Sequence, residues 1–390
     1  MANDIVASMV VAIWLYLLAG RGAFWLAGER DSEIVPGQGP WPAVTAIIPA
    51  RDEAESVGKT VASLLRQDFP GDFAVVLVDD QSRDATAQVA RDAAAAVGGG
   101  HRLTVLPGRS LPAGWTGKLW AQHQGVAAAE AMSPPPAYLL FTDADIVYAP
   151  DALRRLVNRA RSGGYVLTSL MAKLRCESLA ERAFVPAFIF FFQMLYPFAW
   201  ANDPRRATAA AAGGCMLVQR EALRDAGGIA AIRGALIDDC ALAKTLKARG
   251  PIWIGLTDSV HSIRAYPDLL DIRRMISRTA YAQLRYSPLL LAGTVLGLAV
   301  TYLGPVVLTV FASGPARILG IVAWLLMALA FQPTLRFYRM SPLWGLALPA
   351  IATTYMAFTV DSAYQHARGR GGMWKGRAQA NVQDDVSELP

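Results

Sequence analysis

The sequence predicts an α/β protein with a mostly parallel sheet, an N-terminal membrane anchor and C-terminal transmembrane helices. Between residues 43 and 170, fully apolar strand-like runs alternate with alanine-rich helical runs, which is the pattern of a parallel sheet covered on both faces. Only 17% of the 390 residues are charged, against about 25% in soluble domains. Apolar runs long enough to span a bilayer, about 20 residues, occur near both ends of the chain.

The first 42 residues predict an anchor and a linker. Residues 5–27 are apolar apart from Arg21. The chain starts with an acidic rather than a basic segment and lacks a clear cleavage site, so residues 1–30 are predicted to be an uncleaved anchor rather than a signal peptide. Residues 31–42 are rich in Gly and Pro, which is typical of a linker.

Residues 43–267 are predicted to form the α/β domain. Strands are expected at 43–50, 73–80, 102–108, 137–145 and 165–172, and helices at 53–67, 84–97, 118–132 and 150–161. In sheets of this kind, ligands bind at the carboxyl ends of the strands. Polar residues stand at four such places: Arg51, Asp52 and Glu53; Asp79 and Asp80; Lys118 after a Gly-bearing loop; and Asp143 and Asp145.

These polar strand ends predict a ligand site that includes a metal. A single acidic strand end is typical of a turn or a helix cap. Three of them with a lysine at one edge favour a site, because clustered carboxylates repel each other unless a cation balances them. Such hard oxygen ligands suit Mg²⁺ or Mn²⁺. We expect Asp143 and Asp145 to project on the same side, because side chains alternate along an extended chain.

The order of the motifs resembles that of the family 2 glycosyltransferases. The matching segments are VTAIIPARDE (44–53), VDDQSRDAT (78–86), GKLWAQHQG (117–125), the DAD of 143–145, AAGGCMLVQREAL (211–223) and LIDDCALAKTLKARG (236–250). The resemblance covers about residues 43–290 and implies a GT-A-type, Rossmann-like nucleotide-sugar domain. Within the family, the anchor, LPAGWTGKLWA (111–121) and the apolar C-terminal segments are most similar to the hopene-associated glycosyltransferases.

The resemblance implies roles for the residues at the strand ends. Glu53 and Asp79 would contact the nucleoside, and Lys118 would face the donor diphosphate as a point charge. Asp145 would bind the Mg²⁺ or Mn²⁺, and Asp143 would approach the metal or the ribose. The implied donor-binding set is Pro49, Glu53, Asp79, Asp80, Lys118, Asp143, Gly213 and Gly214.

Asp238 and Asp239 stand where the family usually has Glu-Asp. The resemblance implies that Asp239 is the general base, which takes the proton from an acceptor hydroxyl that attacks the anomeric carbon with inversion. The alternative is that both acids only cap a helix, because negative charge is favourable at a helix N-terminus.

The stretch 281–288 partly resembles the family's Gln-x-x-Arg-Trp motif. Here the residues are Gln283, Arg285 and Tyr286, with a shorter spacing and Tyr in place of Trp. The resemblance implies contacts with the diphosphate or the acceptor. The alternative is an Arg-Tyr pair that anchors the chain at the membrane surface.

Several segments predict contact with a membrane. Residues 183–200 are apolar and are expected to lie in the interface or to line an acceptor groove, with Pro186 and Pro197 interrupting the helix; the alternative is a buried core helix. Residues 268–287 predict one basic amphipathic helix at an anionic surface. Spans are expected near 288–312, 316–335 and 343–363 within 288–363, and residues 364–390 form a polar basic tail.

Charge and span number conflict in this C-terminal region. Nucleotide sugars are cytoplasmic, so a domain that uses them is expected to face the cytoplasm. Three spans would then put the tail outside, although the tail and the loop near Arg336 and Arg339 are basic and favour the cytoplasm. Either one apolar segment is re-entrant, or the charge rule is violated here.

The sequence therefore predicts a membrane-bound, metal-dependent, inverting glycosyltransferase of the inner (cytoplasmic) membrane. Its expected partners are a UDP-sugar donor and a lipid acceptor of hopanoid type. The alternatives are a processive polysaccharide synthase and a non-catalytic nucleotide-sugar-binding scaffold. Nucleic-acid binding is not expected, because the chain has no basic patch interleaved with aromatic residues outside the region before the C-terminal spans.

Overall fold

The computed structural model describes residues 2–31 and 39–372, which contain one mixed sheet and a set of apolar helices. Residues 32–38 of the predicted linker and 373–390 of the predicted tail lie outside the described residues. The strands are β1 (Val44–Ala50), β2 (Phe73–Asp79), β3 (Leu103–Pro107), β4 (Tyr138–Phe141), β5 (Ile146–Tyr148), β6 (Leu167–Lys173), β7 (Met216–Gln219) and β8 (Ile252–Ser262).

The α-helices fall between these strands and on both sides of the sheet region in the chain. They are α1 (Ala2–Ala19), α2 (Val57–Leu65), α3 (Thr86–Ala96), α4 (Gly117–Glu130), α5 (Ala152–Ser162), α6 (Leu179–Leu195), α7 (Phe198–Asn202), α8 (Arg220–Asp225), α9 (Asp238–Lys247), α10 (Leu269–Ser277), α11 (Ala280–Gln283), α12 (Pro288–Leu298), α13 (Gly304–Phe311), α14 (Gly314–Phe337) and α15 (Leu348–Ala367).

The chain divides into two units. The sheet unit comprises residues 29–175 and 200–265, and the helical unit comprises residues 1–28, 176–199 and 266–373. Most of the segment 183–200 falls within α6 of the helical unit.

The sheet unit has the strand order β3-β2-β1-β4-β7-β6-β8-β5. Strands β3, β2, β1 and β4 are parallel to one another, and β6 is parallel to β8. Strand β7 is antiparallel to both β4 and β6, and β5 is antiparallel to β8. Every residue of β1 is buried, which explains its continuous apolar sequence. The predicted mostly parallel sheet is confirmed. The antiparallel strands β5 and β8 were not predicted.

Strand register brings the carboxyl ends of the parallel strands to one edge. Ala50 at the end of β1 pairs with Asp79 at the end of β2, and Ile47 pairs with Phe141, the last residue of β4. The loops that follow these strands therefore meet, as expected for a doubly wound sheet.

In the helical unit, α6 is a continuous helix. Its N-terminus has a capping box in which Ser178 and Glu181 bond each other's backbone N–H groups. The helix runs through Pro186 without ending, so the predicted interruption there is wrong. One face of α6 is buried, and it includes Phe184, Ile189 and Phe190.

The predicted single helix over 268–287 is also wrong, because α10 and α11 are separate. The hydroxyl of Ser362 donates to Ser277 O at 2.5 Å and accepts from Tyr281 N at 3.0 Å. These are the two backbone groups that would bond to each other in a continuous helix. A side chain from α15 thus takes the place of one helical hydrogen bond.

Three helical runs of the helical unit are long and apolar enough to cross a membrane: Pro288–Phe311, Gly314–Phe337 and Pro342–Ala367. The first contains a π-helical turn at Ala299–Leu303, and the third begins as a 3₁₀-helix at Pro342–Ala347. At the N-terminus, α1 ends at Ala19 and is shorter than these runs. Arg21 follows it and donates to Met194 O at 3.1 Å.

Candidate active site

The loops after β1 and β2 are joined by hydrogen bonds at the carboxyl edge of the sheet. Glu53 N donates to Thr86 Oγ1 at 2.8 Å, and Asp52 N donates to Ser82 Oγ at 3.0 Å. Asp52 has a φ of 51°, a left-handed conformation that Asp tolerates better than most residues. This double contact holds the first residues after both strands in fixed positions.

The two acids at the end of β2 have different surroundings. Asp80 is fully buried, and its Oδ2 lies 3.8 Å from Arg51 Nη1. Asp79 is half-buried, and its Oδ1 accepts from Ser82 N at 3.1 Å. Asp79 therefore remains the better placed of the two to meet a ligand, while Asp80 fixes Arg51. Pro49 is buried within β1 beside them.

Lys118 connects two of the predicted acidic positions. It lies in the first turn of α4, whose N-cap is Thr116. Its Nζ is 2.9 Å from Asp143 Oδ1 and 3.0 Å from Asp238 Oδ2. Burial alone would lower the pKa of Lys118, but Asp143 and Asp238 outweigh burial and raise it. The lysine is therefore a permanent cation between the end of β4 and the start of α9.

Asp239 is held next to this ion-pair cluster. Its Oδ2 accepts from Gly213 N at 3.0 Å and its Oδ1 accepts from Cys240 N at 2.7 Å. Burial and the neighbouring Asp238 raise the pKa of Asp239 to about 6, against the opposing effect of Lys118. A carboxylate with a pKa near the working pH has the character of a general base.

The two predicted glycines lie between these groups. A Cβ on Gly213 would be 3.1 Å from Lys118 Nζ and 3.6 Å from Asp239 Oδ2, so the backbone passes close to both charged groups. Gly214 O accepts from Thr142 Oγ1 at 3.0 Å. This bond ties the segment before β7 to the end of β4.

Asp143 and Asp145 face different cations. β4 ends at Phe141 and a turn follows at residues 144–145, so the extended strand that the expectation assumed does not continue through the two acids. Asp143 binds Lys118, whereas Asp145 Oδ2 accepts from Arg264 Nε at 2.6 Å. The same guanidinium donates from Nη2 to Glu53 Oε1 at 2.7 Å.

Arg264 is the site residue that the sequence analysis missed. It follows β8, in the stretch DSVHSIRAY, which also contains His261. His261 is exposed, and its Nε2 lies 2.8 Å from Asp258 O. The available signal was a basic residue just beyond a long apolar strand, but the strand itself was not predicted.

The donor set fits a divalent metal that shares its coordination with a substrate. Among residues 2–31 and 39–372, no group of three or more His, Cys, Asp or Glu side chains is arranged to hold a metal alone. Asp143 and Asp145 supply hard carboxylate oxygens on one short turn, and Mg²⁺ typically binds through one or two carboxylates plus substrate phosphates. The residues present therefore fit a metal that arrives with a diphosphate.

The residues of the predicted Gln-Arg-Tyr motif lie in the helical unit. Gln283 exchanges hydrogen bonds with the Tyr196 hydroxyl at 2.7 and 3.0 Å. Arg285 and Tyr286 have φ angles of 52° and 55°. The Tyr286 ring stacks on His366 with centroids 4.4 Å apart. Their role toward a diphosphate or an acceptor stays a prediction.

Comparison with known proteins finds a family match for part of the chain. Residues 45–227 match the family described as Glycosyl transferase family 2. A 4,4'-diaponeurosporenoate glycosyltransferase of Staphylococcus aureus (strain USA300) is 34% identical over 123 residues. That match covers 31% of this chain and 29% of the relative, so the chain matches less than a third of the relative's length.

A solved structure extends the likeness in fold to most of the chain. A mannosyltransferase from Pyrobaculum calidifontis, in complex with GDP-Man and Mn²⁺, matches with a TM-score of 0.53 at 18% identity. The match covers 94% of this chain and 99% of that one, and it confirms the predicted GT-A-type fold. The family match covers residues 45–227, a little under half of the chain.

Proposed function

We propose that the protein is a membrane-bound, inverting glycosyltransferase that moves a sugar from a nucleotide-sugar donor to a lipid acceptor. The observation that carries the proposal is the position of Lys118 between Asp143 and Asp238, with Asp239 next to it. They come from three separate segments of the chain, and the two segments that carry Lys118 and Asp143 lie within the residues that match glycosyl transferase family 2. They supply a cation for a diphosphate and a base for an acceptor at one edge of the sheet.

The donor half of the site consists of the loops after β1, β2 and β4, together with the start of α4 and the segment before β7. We assign the nucleoside to Asp79 and Glu53, and the diphosphate to Lys118, whose compact ammonium is a strong point charge. Pro49, Asp80, Gly213 and Gly214 support this half through the backbone. We expect a UDP-sugar, and the choice of nucleotide is open to a direct binding test.

Asp143 and Asp145 are assigned to Mg²⁺ or Mn²⁺ that enters with the donor. When bound, such a metal supplies charge stabilisation for the departing nucleotide. Lys118 remains beside Asp143 and adds a second positive charge. The family 2 match and the Mn²⁺ in the mannosyltransferase support this assignment.

Asp239 acts on the acceptor. As a carboxylate it accepts the proton of the attacking hydroxyl, and Gly213 N and Cys240 N keep it oriented. A single base suffices, because attack opposite the leaving group inverts the anomeric centre in one displacement. Asp238 is bound to Lys118 and is assigned to positioning rather than to proton transfer.

Three helical runs that are able to span a membrane support a lipid acceptor, as does the likeness to an enzyme named for a carotenoid acid. That name implies a carboxylate acceptor, which is ionised at neutral pH and needs no base. A hydroxyl needs one. The base character of Asp239 therefore favours a lipid alcohol, and we propose a hopanoid-type alcohol in the inner membrane with the catalytic domain on the cytoplasmic side.

Two other functions are less well supported. A processive polysaccharide synthase would be expected to have an intact Gln-x-x-Arg-Trp motif, which differs here at Gln283–Tyr286. A non-catalytic scaffold would not need Asp239 to be held with a raised pKa beside Lys118.

The test is release of nucleotide from a panel of UDP- and GDP-sugars by purified protein with Mg²⁺ or Mn²⁺. A lipid alcohol and a lipid carboxylate of similar size are supplied in parallel. Release that depends on the alcohol, and is lost in Asp239→Asn, is the expected result. Release with the carboxylate that survives Asp239→Asn would contradict the assigned acceptor chemistry. Donor binding without release under any condition would favour the scaffold.

A further inference from the structure

The last apolar run of the helical unit, Pro342–Ala367, is long enough to cross a membrane. Its C-terminal end nevertheless lies beside the segment that precedes the first apolar run. Tyr281 N donates to Ser362 Oγ at 3.0 Å. The Tyr286 ring stacks on His366, with centroids 4.4 Å apart. Tyr286 lies two residues before Pro288, where α12 begins. The end of α15 and the start of α12 are therefore neighbours.

The beginning of the same run folds back along α14. Gln332 Nε2 donates to Pro342 O at 3.1 Å, and Trp324 Nε1 donates to Leu346 O at 3.2 Å. Trp324 lies 13 residues before Phe337, the end of α14, which corresponds to about 20 Å along a helix. The chain thus leaves α14 and runs back beside it over most of that distance.

Two backbone carbonyl groups of this returning segment accept hydrogen bonds from side chains of α14. In lipid, carbonyl groups outside a regular helix need donors from the protein. The side chains of Gln332 and Trp324 supply such donors within the segment Pro342–Ala347. A Cβ on Gly345 would lie 2.9 Å from Ala328 O, so the glycine permits the close approach of the two backbones. These are the features of a segment that dips into the bilayer against protein.

The two preceding runs form a hairpin. A Cβ on Gly320 of α14 would be 2.7 Å from Leu308 Cβ and 2.9 Å from Thr309 N of α13, so the helices pack closely on either side of the turn at Ser313. If both cross the membrane, Pro288 and Phe337 lie at one face and Ser313 lies at the other. A third complete crossing would carry His366 to the face of Ser313, away from Tyr286.

We propose that Pro342–Ala367 is a re-entrant segment, which enters and leaves the bilayer at the same face, so that residues 288–372 cross the membrane twice. The exposed arginines at the ends of these elements then share one face: Arg278, Arg285, Arg336, Arg339, Arg368 and Arg370. The charge conflict in the sequence disappears, because all of them obey the positive-inside tendency together. Such a face fits the anionic headgroups of one leaflet.

The proposal is tested by labelling single cysteines from each side of the membrane. Cys176, Cys215 and Cys240 are replaced by Ala, and Arg278→Cys, Ser313→Cys or Arg370→Cys is added singly. Each variant is treated with a membrane-impermeant maleimide in right-side-out and in inverted vesicles. Ala367→Cys replaces Arg370→Cys if that variant does not accumulate.

The expected result is that positions 278 and 370 are labelled in the same vesicle orientation and position 313 in the opposite one. Labelling of 370 together with 313, opposite to 278, would establish a third crossing and overturn the proposal. Labelling of 278 and 313 from the same side would show that the α13–α14 hairpin does not cross, which also overturns it. Neither result depends on donor, acceptor or turnover, so the proposed enzymatic function is tested separately.

Discussion

Arg264 Nε lies 2.6 Å from Asp145 Oδ2, and this contact places a protein cation on the carboxylate that is assigned to the metal. The same guanidinium reaches Glu53 Oε1 at 2.7 Å. The side chains of Asp145 and Glu53 are only 9% and 12% exposed, so neither acid would be well solvated without a partner. Arg264 therefore balances negative charge on both carboxylates in this structure.

Replacement of Arg264 by Gln is expected to increase the affinity for Mn²⁺ in the absence of donor. The guanidinium competes with the metal for Asp145, and its removal leaves two poorly solvated acids that favour a cation. We expect a gain on the order of tenfold, which corresponds to about 1.4 kcal/mol. The measurement is a titration of free Mn²⁺ by electron paramagnetic resonance.

The control for this experiment is Arg91→Gln, which removes an exposed arginine from the same unit. Adding Asp145→Asn to Arg264→Gln should abolish the gain, because the metal then loses its ligand. Thermal unfolding shows whether the variant is folded, and Arg264→Lys retains a charge if it is not. Equal Mn²⁺ affinity in Arg264→Gln and the parent protein would rule out the competition.

Asp239→Asn is expected to reduce turnover by at least about 10²-fold while donor binding is retained, because general-base contributions are about 10²–10⁴-fold. The amide keeps the shape of the side chain and, through its carbonyl oxygen, can accept one of the two backbone hydrogen bonds from Gly213 N and Cys240 N, but it cannot take a proton. Donor affinity is measured by calorimetry and turnover by nucleotide release. Loss of both would indicate a structural or donor-binding role for Asp239.

Turnover is expected to rise with pH through an apparent pKa of about 6. The pKa of Asp239 is raised to about 6 by burial and by Asp238, so the base is protonated and inactive below that pH. Unfolding through the titration of Asp239 does not explain the loss of turnover at low pH. A carboxyl whose pKa is raised on folding contributes stability below its unfolded pKa, and that contribution is lost as the pH rises.

Variants of Asp238 and Lys118, the two charged neighbours of Asp239, should shift the midpoint of this pH dependence in opposite directions. Asp238→Asn removes a repelling charge and is expected to shift the midpoint to lower pH. Lys118→Met removes an attracting charge and is expected to shift the midpoint of the residual activity to higher pH. Lys59→Met, at an exposed lysine of the same unit, should leave the midpoint unchanged. Shifts in the same direction for both neighbours would assign this pH dependence to another group.

The meeting of Lys118 with Asp143 was predictable because it follows from local rules. Apolar strands predict the parallel half of the sheet, and parallel strands place their carboxyl ends at one edge. The contact of Lys118 with Asp238 does not follow from these local rules, because α9 lies beyond α6 in the chain. For that step only the resemblance to a family gave guidance.

Other features had no local signal. The bond between Arg264 and Asp145 depends on β8 and β5, and β5 has only three residues, too few to show a period. The break between α10 and α11 is caused by Ser362, more than 80 residues away. Neither contact alters the pattern of apolar residues in the segments involved. Sequence periodicity predicts secondary-structure elements. A contact between distant segments that replaces a local hydrogen bond can be identified only from the tertiary structure.

Gly213→Ala is expected to weaken donor binding by about tenfold, or about 1.4 kcal/mol, with little change in stability. The added Cβ would lie 3.1 Å from Lys118 Nζ, which is tighter than an ordinary contact. Since Nζ is the end of a flexible side chain, the lysine can move away at small cost to folding. It would then leave its position beside Asp143, where we propose that it binds the diphosphate.

The matched control is Gly100→Ala, because a Cβ on Gly100 meets nothing within 4 Å. Both variants are compared by thermal unfolding and by donor affinity with and without Mn²⁺. A loss of donor affinity in Gly213→Ala alone, at an unchanged melting temperature, would support the role of Lys118 at the diphosphate. If Gly213→Ala binds donor like the control but turns over slowly, the added methyl group disturbs Asp239 instead, whose Oδ2 lies 3.6 Å from the same Cβ position.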